Sequence, residues 1–170
     1  MELFEAIAQR ASVRQLKPVE VPEADLERIL DAGRRAPSGM NRQPVDFLVV
    51  RDPATLQALG TAQSVLAEVS VVIALVADPE TSRFWLEDVA AATENMLLAI
   101  TALGYASVWI EGTFLRDEAT HKQTLGVPEE LRLMVALPIG LPDQEVAQAP
   151  KRSLEDKVHW EKWGQRQPYR

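Results

Sequence analysis

The chain contains no cysteine, and this absence restricts its chemistry. Disulfide scaffolds, thiolate nucleophiles and cysteine-ligated zinc or iron–sulfur sites are all excluded. Its 170 residues fit one domain, and a chain of this length buries a hydrophobic core without cross-links. We therefore expect a one-domain protein from a reducing compartment, the cytoplasm being the simplest.

Long apolar runs are absent as well. The purest run, Val71–Ala77, is far shorter than the roughly 20 apolar residues that cross a bilayer, and it predicts a buried strand instead. The first residues lack the basic and apolar segments of a secretory signal. We expect neither export nor a membrane partner.

Positive charge is scarce relative to negative charge. Eighteen basic side chains against 25 acidic ones give a formal net charge of −7. Because proteins that bind nucleic acid hold it mainly through phosphate contacts, this balance predicts no nucleic-acid partner.

Several familiar catalytic motifs are missing too. The sequence has no glycine-rich dinucleotide fingerprint, no P-loop, no H-E-x-x-H and no G-x-S-x-G. The two histidines, His121 and His159, do not have metal-ligand spacing, so we predict no metal site. Pairs of carboxylates such as Asp88 and Glu111 arise by chance among 25 acidic residues. If the chain is an enzyme, a bound cofactor is expected to carry the chemistry.

Hydrophobic periodicity predicts an α+β fold. Helical spacing predicts helices over 3–12, 22–36, 56–66, 82–103 and 118–125, and short apolar runs predict strands over 47–50, 69–77, 107–110 and 131–139. The fourth helix is long enough to be the central helix of the domain, and Gly104 ends it.

The last part of the chain is a C-terminal extension. We assign residues 1–148 to the main domain and 149–170 to an extension of the same domain. Trp160, Trp163 and Tyr169 are bulky for a free tail, which predicts that the extension packs on a second subunit or folds back on its own.

Basic residues alternate just after the first helix. Arg10, Ser12 and Arg14 would project from one side of an extended segment and could converge on a phosphate. The alternative is an ordinary basic helix end, where arginine is favoured by the helix dipole.

Further elements follow this R-x-S-x-R segment in a recognisable order. A proline-bounded loop, 37–44, precedes a strand, and the long helix carries Asp88 and Asn95. After them come Trp109 and Glu111-Gly112, then 138–140 (Pro-Ile-Gly) and 150–152 (Pro-Lys-Arg). In kind and order this set resembles the nitroreductase family of FMN proteins over nearly the whole chain. The resemblance implies a central, mostly antiparallel sheet of about four to five strands flanked by helices.

The resemblance also implies roles for particular residues. One group would hold the FMN phosphate and ribityl chain: Arg10, Ser12, Arg14 and Arg152, with Lys151 a weaker candidate. A second would approach the flavin from the partner subunit: Pro37, Ser38, Gly39, Asn41 and Gln43. The backbone of Glu111 and Gly112 would face the ring near N5, with no catalytic side chain. Gly39 and Gly112 suit such places, because a missing Cβ lets main chain approach a ring closely.

The implied activity is hydride transfer from NADH or NADPH through FMN to a small electron-poor acceptor, by a ping-pong mechanism in a homodimer with shared active sites. Nitroaromatics, quinones and activated alkenes are acceptors of this kind. The alternatives are a specialised flavin enzyme of the same fold, such as a dehalogenase or a flavin-fragmenting enzyme, and a non-catalytic FMN sensor or carrier. Two features of the chain depart from larger members of the nitroreductase family. Only residues 78–84 separate the second strand from the central helix. The segment 57–68 offers no equivalent of the Asn and Lys that contact the flavin pyrimidine in some members.

Overall fold

The computed structural model describes residues 1–167 and has the predicted α+β architecture. Its helices and strands, in two groups, have these bounds: α1 Leu3–Gln9, α2 Glu23–Arg34, α3 Pro53–Leu59, α4 Val65–Glu68, α5 Trp85–Ala102, α6 Gly112–Arg116, α7 Glu118–Leu125 and α8 Leu154–Lys157; β1 Leu16–Lys17, β2 Val45–Val50, β3 Val71–Ala77, β4 Arg132–Ile139 and β5 Leu141–Pro142.

The central sheet is antiparallel, with the strand order β2-β3-β4. β1 and β5 form a separate two-stranded antiparallel pair. All seven residues of β3 are buried, so the strand predicted from its apolar run is confirmed as the centre of the sheet.

The core has two layers, one on each face of β3. Alternate residues of a strand point to opposite faces, so Ile73 and Leu75 pack with the helical layer of α2 and α5. Val72 and Ala74 pack on the other side with α3, α4 and Phe114 of α6. The long helix predicted over 82–103 is present as α5, which starts three residues later.

The predicted third strand is present only as isolated bridges. Ala106 pairs with Gly140, just after β4, and Ile110 pairs with Ala136 of β4, both in antiparallel register. Halfway between these pairs the register places Pro138, which has no N–H to donate. The ladder is therefore interrupted at the proline, and the central sheet keeps three regular strands.

The helix predicted over 56–66 is two helices, α3 and α4, separated at Gly60. A Cβ at Gly60 would lie 2.8 Å from the Cβ of Ala67, so the close approach of the two short helices needs a glycine. The single-helix expectation is wrong here, because a glycine inside a helical pattern can mark its end as well as an interior position.

The apolar stripe predicted on the first helix is largely uncovered. Leu3, Phe4 and Ile7 of α1 are 60%, 83% and 45% exposed, and Ala6 is the buried residue of this helix. The periodicity correctly predicts the helix, but its apolar face is left open in the single chain.

Candidate functional site

The segment that follows α1 is extended and presents alternate side chains to solvent. Val13 is buried, whereas Ser12 and Arg14 on either side of it are exposed. The Val13 N–H donates to the Ser107 carbonyl over 2.9 Å, and Ser12 and Ser107 form a parallel bridge. The backbone therefore places Ser12 and Arg14 on the open side of the segment, as the alternation predicts.

Arg10 lies at the start of the same segment but has a protein partner. Its Nε is 3.6 Å from Oε1 of Glu94 on α5, and its side chain is 21% exposed. Arg14 has no ion pair with any residue in the described part of the chain. Of the two guanidinium groups, that of Arg14 is the freer to bind an anion.

The chain that runs from Ser107 leads to the predicted flavin-facing backbone. Glu111 lies four residues after Ser107 along extended chain, a distance of roughly 13 Å. The Trp109 indole Nε1–H donates to Oε2 of Glu111 over 2.9 Å, so one oxygen of this carboxylate is hydrogen-bonded within the chain. A Cβ built on Gly112 meets no heavy atom within 4 Å, so the main chain there faces open space.

Two buried hydroxyl groups flank this stretch without a hydrogen-bond partner among the described residues. They are Oγ of Ser107 and Oγ1 of Thr113. Because buried polar atoms nearly always have a partner, these orphaned groups fit a polar ligand or water bound along 107–113. Together with the arginines of the first segment, they form a donor set suited to a phosphorylated polar molecule.

The loop 37–43 has an unusual backbone. Three of its non-glycine residues have left-handed φ angles: 54° at Met40, 55° at Asn41 and 51° at Gln43. The Gln43 N–H donates to Oγ of Ser38 over 3.0 Å and closes the loop on itself. Strain of this kind collects at functional sites, where the surrounding structure holds it in place.

Asp88 in the first turn of α5 anchors this loop. Its side chain is only 5% exposed, and its Oδ1 accepts the Gly39 N–H over 2.8 Å. Oδ2 accepts the hydroxyl of the equally buried Ser82 over 2.9 Å. The sequence indicates an acid at the helix start, but no sequence signal connects it to the loop 49 residues earlier.

The structure shows a reason for Gly39 besides the predicted approach to a flavin. A Cβ at this position would lie 2.5 Å from Cδ2 of Phe84, so the glycine is required by a ring of the protein's own chain. Of these two glycines, Gly112 has the open space that a close approach of main chain to a bound ring requires.

One member of each predicted group contacts α5, and the two contacts lie at different positions on this helix. Arg10 contacts α5 at Glu94, whereas the loop contacts α5 at Asp88. At about 100° per residue these positions lie roughly 120° apart around the helix. Asn95, which donates to the Ala32 carbonyl on α2, lies on the Asp88 side. Arg10 and the loop therefore contact α5 on different sides.

A cleft of about 670 Å³ lies on the loop side, between α2, β2 and α5. Ser38 and Gln43 of the loop contribute to its wall, as does Asp31 of α2. Hydrogen bonds from Arg35 and then Arg34 lower the pKa of Asp31. The cleft is thus lined by loop residues and by a helix surface on which Asp31 is paired with arginines.

The C-terminal extension begins beside the arginine segment. Gln148 Nε2 donates to the carbonyls of Ile7 and Arg10 over 2.8 and 2.9 Å. Lys151 and Arg152 beyond it are exposed, and Arg152 Nη2 donates to the Asp156 carbonyl over 2.8 Å. The structure therefore brings the start of the extension to Arg10, while the guanidinium of Arg152 is turned toward the extension itself.

The aromatic residues of the extension differ in exposure. Trp163 is 90% exposed and stacks on His159 with ring centroids 4.0 Å apart, and Trp160 is 39% exposed. Tyr169, the third aromatic residue of the prediction, lies outside the described residues.

Two negative findings apply to residues 1–167. No group of three or more histidines, aspartates or glutamates is arranged to hold a metal ion there. None of the helices in this range combines the length and apolar character needed to span a membrane.

Comparison with known proteins identifies the family. The profile of the Nitroreductase family matches residues 7–70 and 58–141. A relative from Archaeoglobus fulgidus, provisionally assigned as an NADH dehydrogenase/NAD(P)H nitroreductase, is 35% identical over 95% of this chain and 99% of its own. The iodotyrosine deiodinase of Thermotoga neapolitana is 26% identical over 89% of this chain and 95% of its own.

A solved structure shares the fold as well. The FMN-dependent nitroreductase from Clostridium difficile R20291 superimposes with a TM-score of 0.83 at 27% identity, covering 94% of this chain and 99% of that chain. The ordered motifs, the α+β architecture and the profile match agree, and the chain belongs to the nitroreductase family.

Proposed function

We propose that two copies of the chain bind FMN at their interface and transfer a hydride from NADH or NADPH to a small electron-poor acceptor. One observation carries this proposal: the exposed Ser12 and Arg14 lie on a segment bridged to the stretch that leads to Gly112, where the backbone is open. This makes the chain an NAD(P)H-dependent FMN oxidoreductase.

The arginine segment holds the phosphate end of the cofactor. Arg14 is exposed and free of ion pairs among residues 1–167, and Ser12 beside it offers a hydroxyl donor. Arg10 joins them if its contact with Glu94 loosens. Arg152, with Lys151, approaches from the extension that Gln148 anchors at Arg10. Guanidinium groups suit a dianionic phosphate because they form charge-assisted, often bidentate, hydrogen bonds.

The backbone of Glu111 and Gly112 faces the ring end. A bound FMN would supply the hydride-accepting and electron-donating chemistry of the two half-reactions. The chain orients the reactants here, and no side-chain acid or base is needed for the first half-reaction. Trp109 holds the Glu111 carboxylate through its indole N–H, which leaves the peptide group to face the ring. Donor and acceptor occupy this place in turn, so we propose ping-pong kinetics.

The second subunit completes the site through its loop 37–43. The loop and Arg10 contact α5 on different sides of one chain, which favours a site shared between two copies. The exposed apolar face of α1, with Leu3 and Phe4, offers surface for such an assembly. Pro37, Ser38, Gly39, Asn41 and Gln43 then reach the cofactor of the partner.

A mixed dimer tests this shared site. Arg14→Ala damages the phosphate side, and Gly39→Ala damages the loop because its Cβ meets Phe84. In a heterodimer of the two variants, one shared site carries both substitutions and the other carries neither. Because one of the two sites is then intact, we expect about half of the wild-type FMN content. A heterodimer as poor in FMN as the two homodimeric variants contradicts the sharing, because each site would then carry one lesion.

A reductive dehalogenase is the second candidate, favoured by the similarity to the Thermotoga neapolitana deiodinase. Only residues 78–84 separate β3 from α5, which leaves little chain for a lid over a halogenated substrate. Assays of the reduced protein with iodotyrosine and with a nitroaromatic or quinone acceptor separate the two activities, and the same assays with NAD(P)H separate both from a non-catalytic FMN carrier.

A further inference from the structure

We infer that Asp88 is a positioning residue that holds loop 37–43 in the conformation in which it covers the flavin of the partner subunit. This inference rests on the proposed function, and it assigns a role to a carboxylate that takes no part in the chemistry described above.

The bonds of Asp88 all lead to connecting segments. Its two oxygens accept the Gly39 N–H and the Ser82 hydroxyl, and Oγ of Ser82 accepts the Phe84 N–H over 3.1 Å. No basic side chain among the described residues forms an ion pair with Asp88. Because burial of a carboxylate is costly unless its oxygens are hydrogen-bonded, Asp88 favours the one loop position that brings the Gly39 amide to it.

The loop needs such an anchor. Left-handed φ angles are disfavoured for side-chain-bearing residues, and three of them, Met40, Asn41 and Gln43, fall within four positions. Met40 is 80% exposed, so packing does not fix it. The Gln43–Ser38 bond lies within the loop, whereas the Gly39–Asp88 bond joins the loop to α5.

The position of the anchor predicts a particular defect. Since the loop is proposed to cover the ring and not the phosphate, weakening the anchor should weaken FMN and riboflavin by the same factor. Loss of Arg14 should weaken FMN alone. Equal loss for both flavins therefore distinguishes a loop defect from a phosphate-site defect.

The test compares flavin affinity in Asp88→Asn, Ser82→Ala and a matched control. Asp88→Asn keeps the size but replaces the charge-assisted bond to Gly39 by a neutral one, and we expect about tenfold weaker binding of both flavins. Ser82→Ala keeps the Gly39 bond and should lose less. Thr93→Val removes another buried side-chain bond on α5, that from Thr93 to the Val89 carbonyl, and should leave flavin affinity unchanged.

Hydrogen exchange supplies the second readout, with the Gly39 amide expected to exchange faster in Asp88→Asn than in wild type or Thr93→Val. Unchanged affinity for both flavins in the Asp88 and Ser82 variants, or a loss confined to FMN, overturns the inference. If Asp88→Asn does not fold, Ser82→Ala decides by the same criteria. Wild-type protein that fails to bind FMN at all contradicts the proposed function instead, so the two failures are distinguishable.

Discussion

Replacing Arg14 by alanine should weaken FMN strongly and riboflavin hardly at all. Arg14 is exposed and makes no ion pair within the described chain, so its removal leaves no buried group unpaired and should not affect folding. A charge-assisted hydrogen bond contributes roughly 1.5–3 kcal/mol. At about 1.4 kcal/mol per factor of ten, the loss corresponds to a roughly 10- to 150-fold higher Kd for FMN.

Arg10 and Glu94 refine this expectation. Since Arg10 already contacts Glu94, Arg10→Ala should cost less FMN affinity than Arg14→Ala. Glu94→Gln releases the Arg10 guanidinium and should increase FMN affinity. Both effects should diminish at high salt, because the groups are partly exposed and charges near solvent are screened.

Fluorescence titration of the apoprotein with FMN and with riboflavin measures these effects. Arg116→Ala is the matched control, since Arg116 is also exposed and has no ion pair in the described chain. Equal losses for FMN and riboflavin in Arg14→Ala would refute the phosphate assignment. A comparable FMN loss in Arg116→Ala would show that the effect is one of net charge only.

Three further predictions concern the backbone, acid stability and assembly. Gly112→Ala should keep the wild-type Tm but lose FMN affinity, whereas Gly39→Ala should also lower the Tm, because only the Cβ at Gly39 meets another side chain; equal Tm values for the two variants would contradict this. Burial raises the pKa of Glu118, but the hydrogen bonds from Arg132 and a backbone amide outweigh it, so the folded-state pKa lies below the ordinary 4.5. The wild type should therefore be more stable than Glu118→Gln by a full margin above about pH 5, and this margin should decline as the pH falls through the lowered pKa. A stability difference in urea unfolding that does not depend on pH would contradict this. Truncation after Lys157 should shift the protein toward monomer and reduce its FMN content together, and light scattering that shows an intact, fully flavinated dimer would refute the assembly role of the extension.

The sequence predicts the helices and strands well where their pattern depends on burial alone. β3 is a buried run, and α5 has one apolar face, so both are found close to the predicted limits. The strand at 107–110 fails to become regular because of Pro138 on its neighbour. A strand pattern cannot reveal this, since the defect depends on which residue the register places opposite.

The face of α1 shows a second limit. Its periodicity predicts a helix with an apolar side, and Leu3 and Phe4 are nonetheless exposed in the single chain. Periodicity identifies a face that requires a cover, but it does not say whether the cover comes from the same chain or from another.

The site features that the sequence predicts are likewise local, and those it misses are contacts between distant segments. The alternation of Ser12, Val13 and Arg14 is a local property, and the structure exposes the outer two and buries the middle one. The Gly39–Phe84 contact and the Gly39–Asp88 bond join segments far apart in the chain. No spacing rule connects them, so the sequence could not reveal that the missing Cβ at Gly39 makes room for the Phe84 ring.

Anaerobic visible spectroscopy of the purified protein tests the central claim most directly. Protein reconstituted with FMN and freed of excess should show the flavin absorption band, which NADH or NADPH should bleach and a quinone or nitroaromatic should restore. Retained FMN that neither nicotinamide reduces would identify a flavin carrier, and failure to retain FMN would contradict the account as a whole.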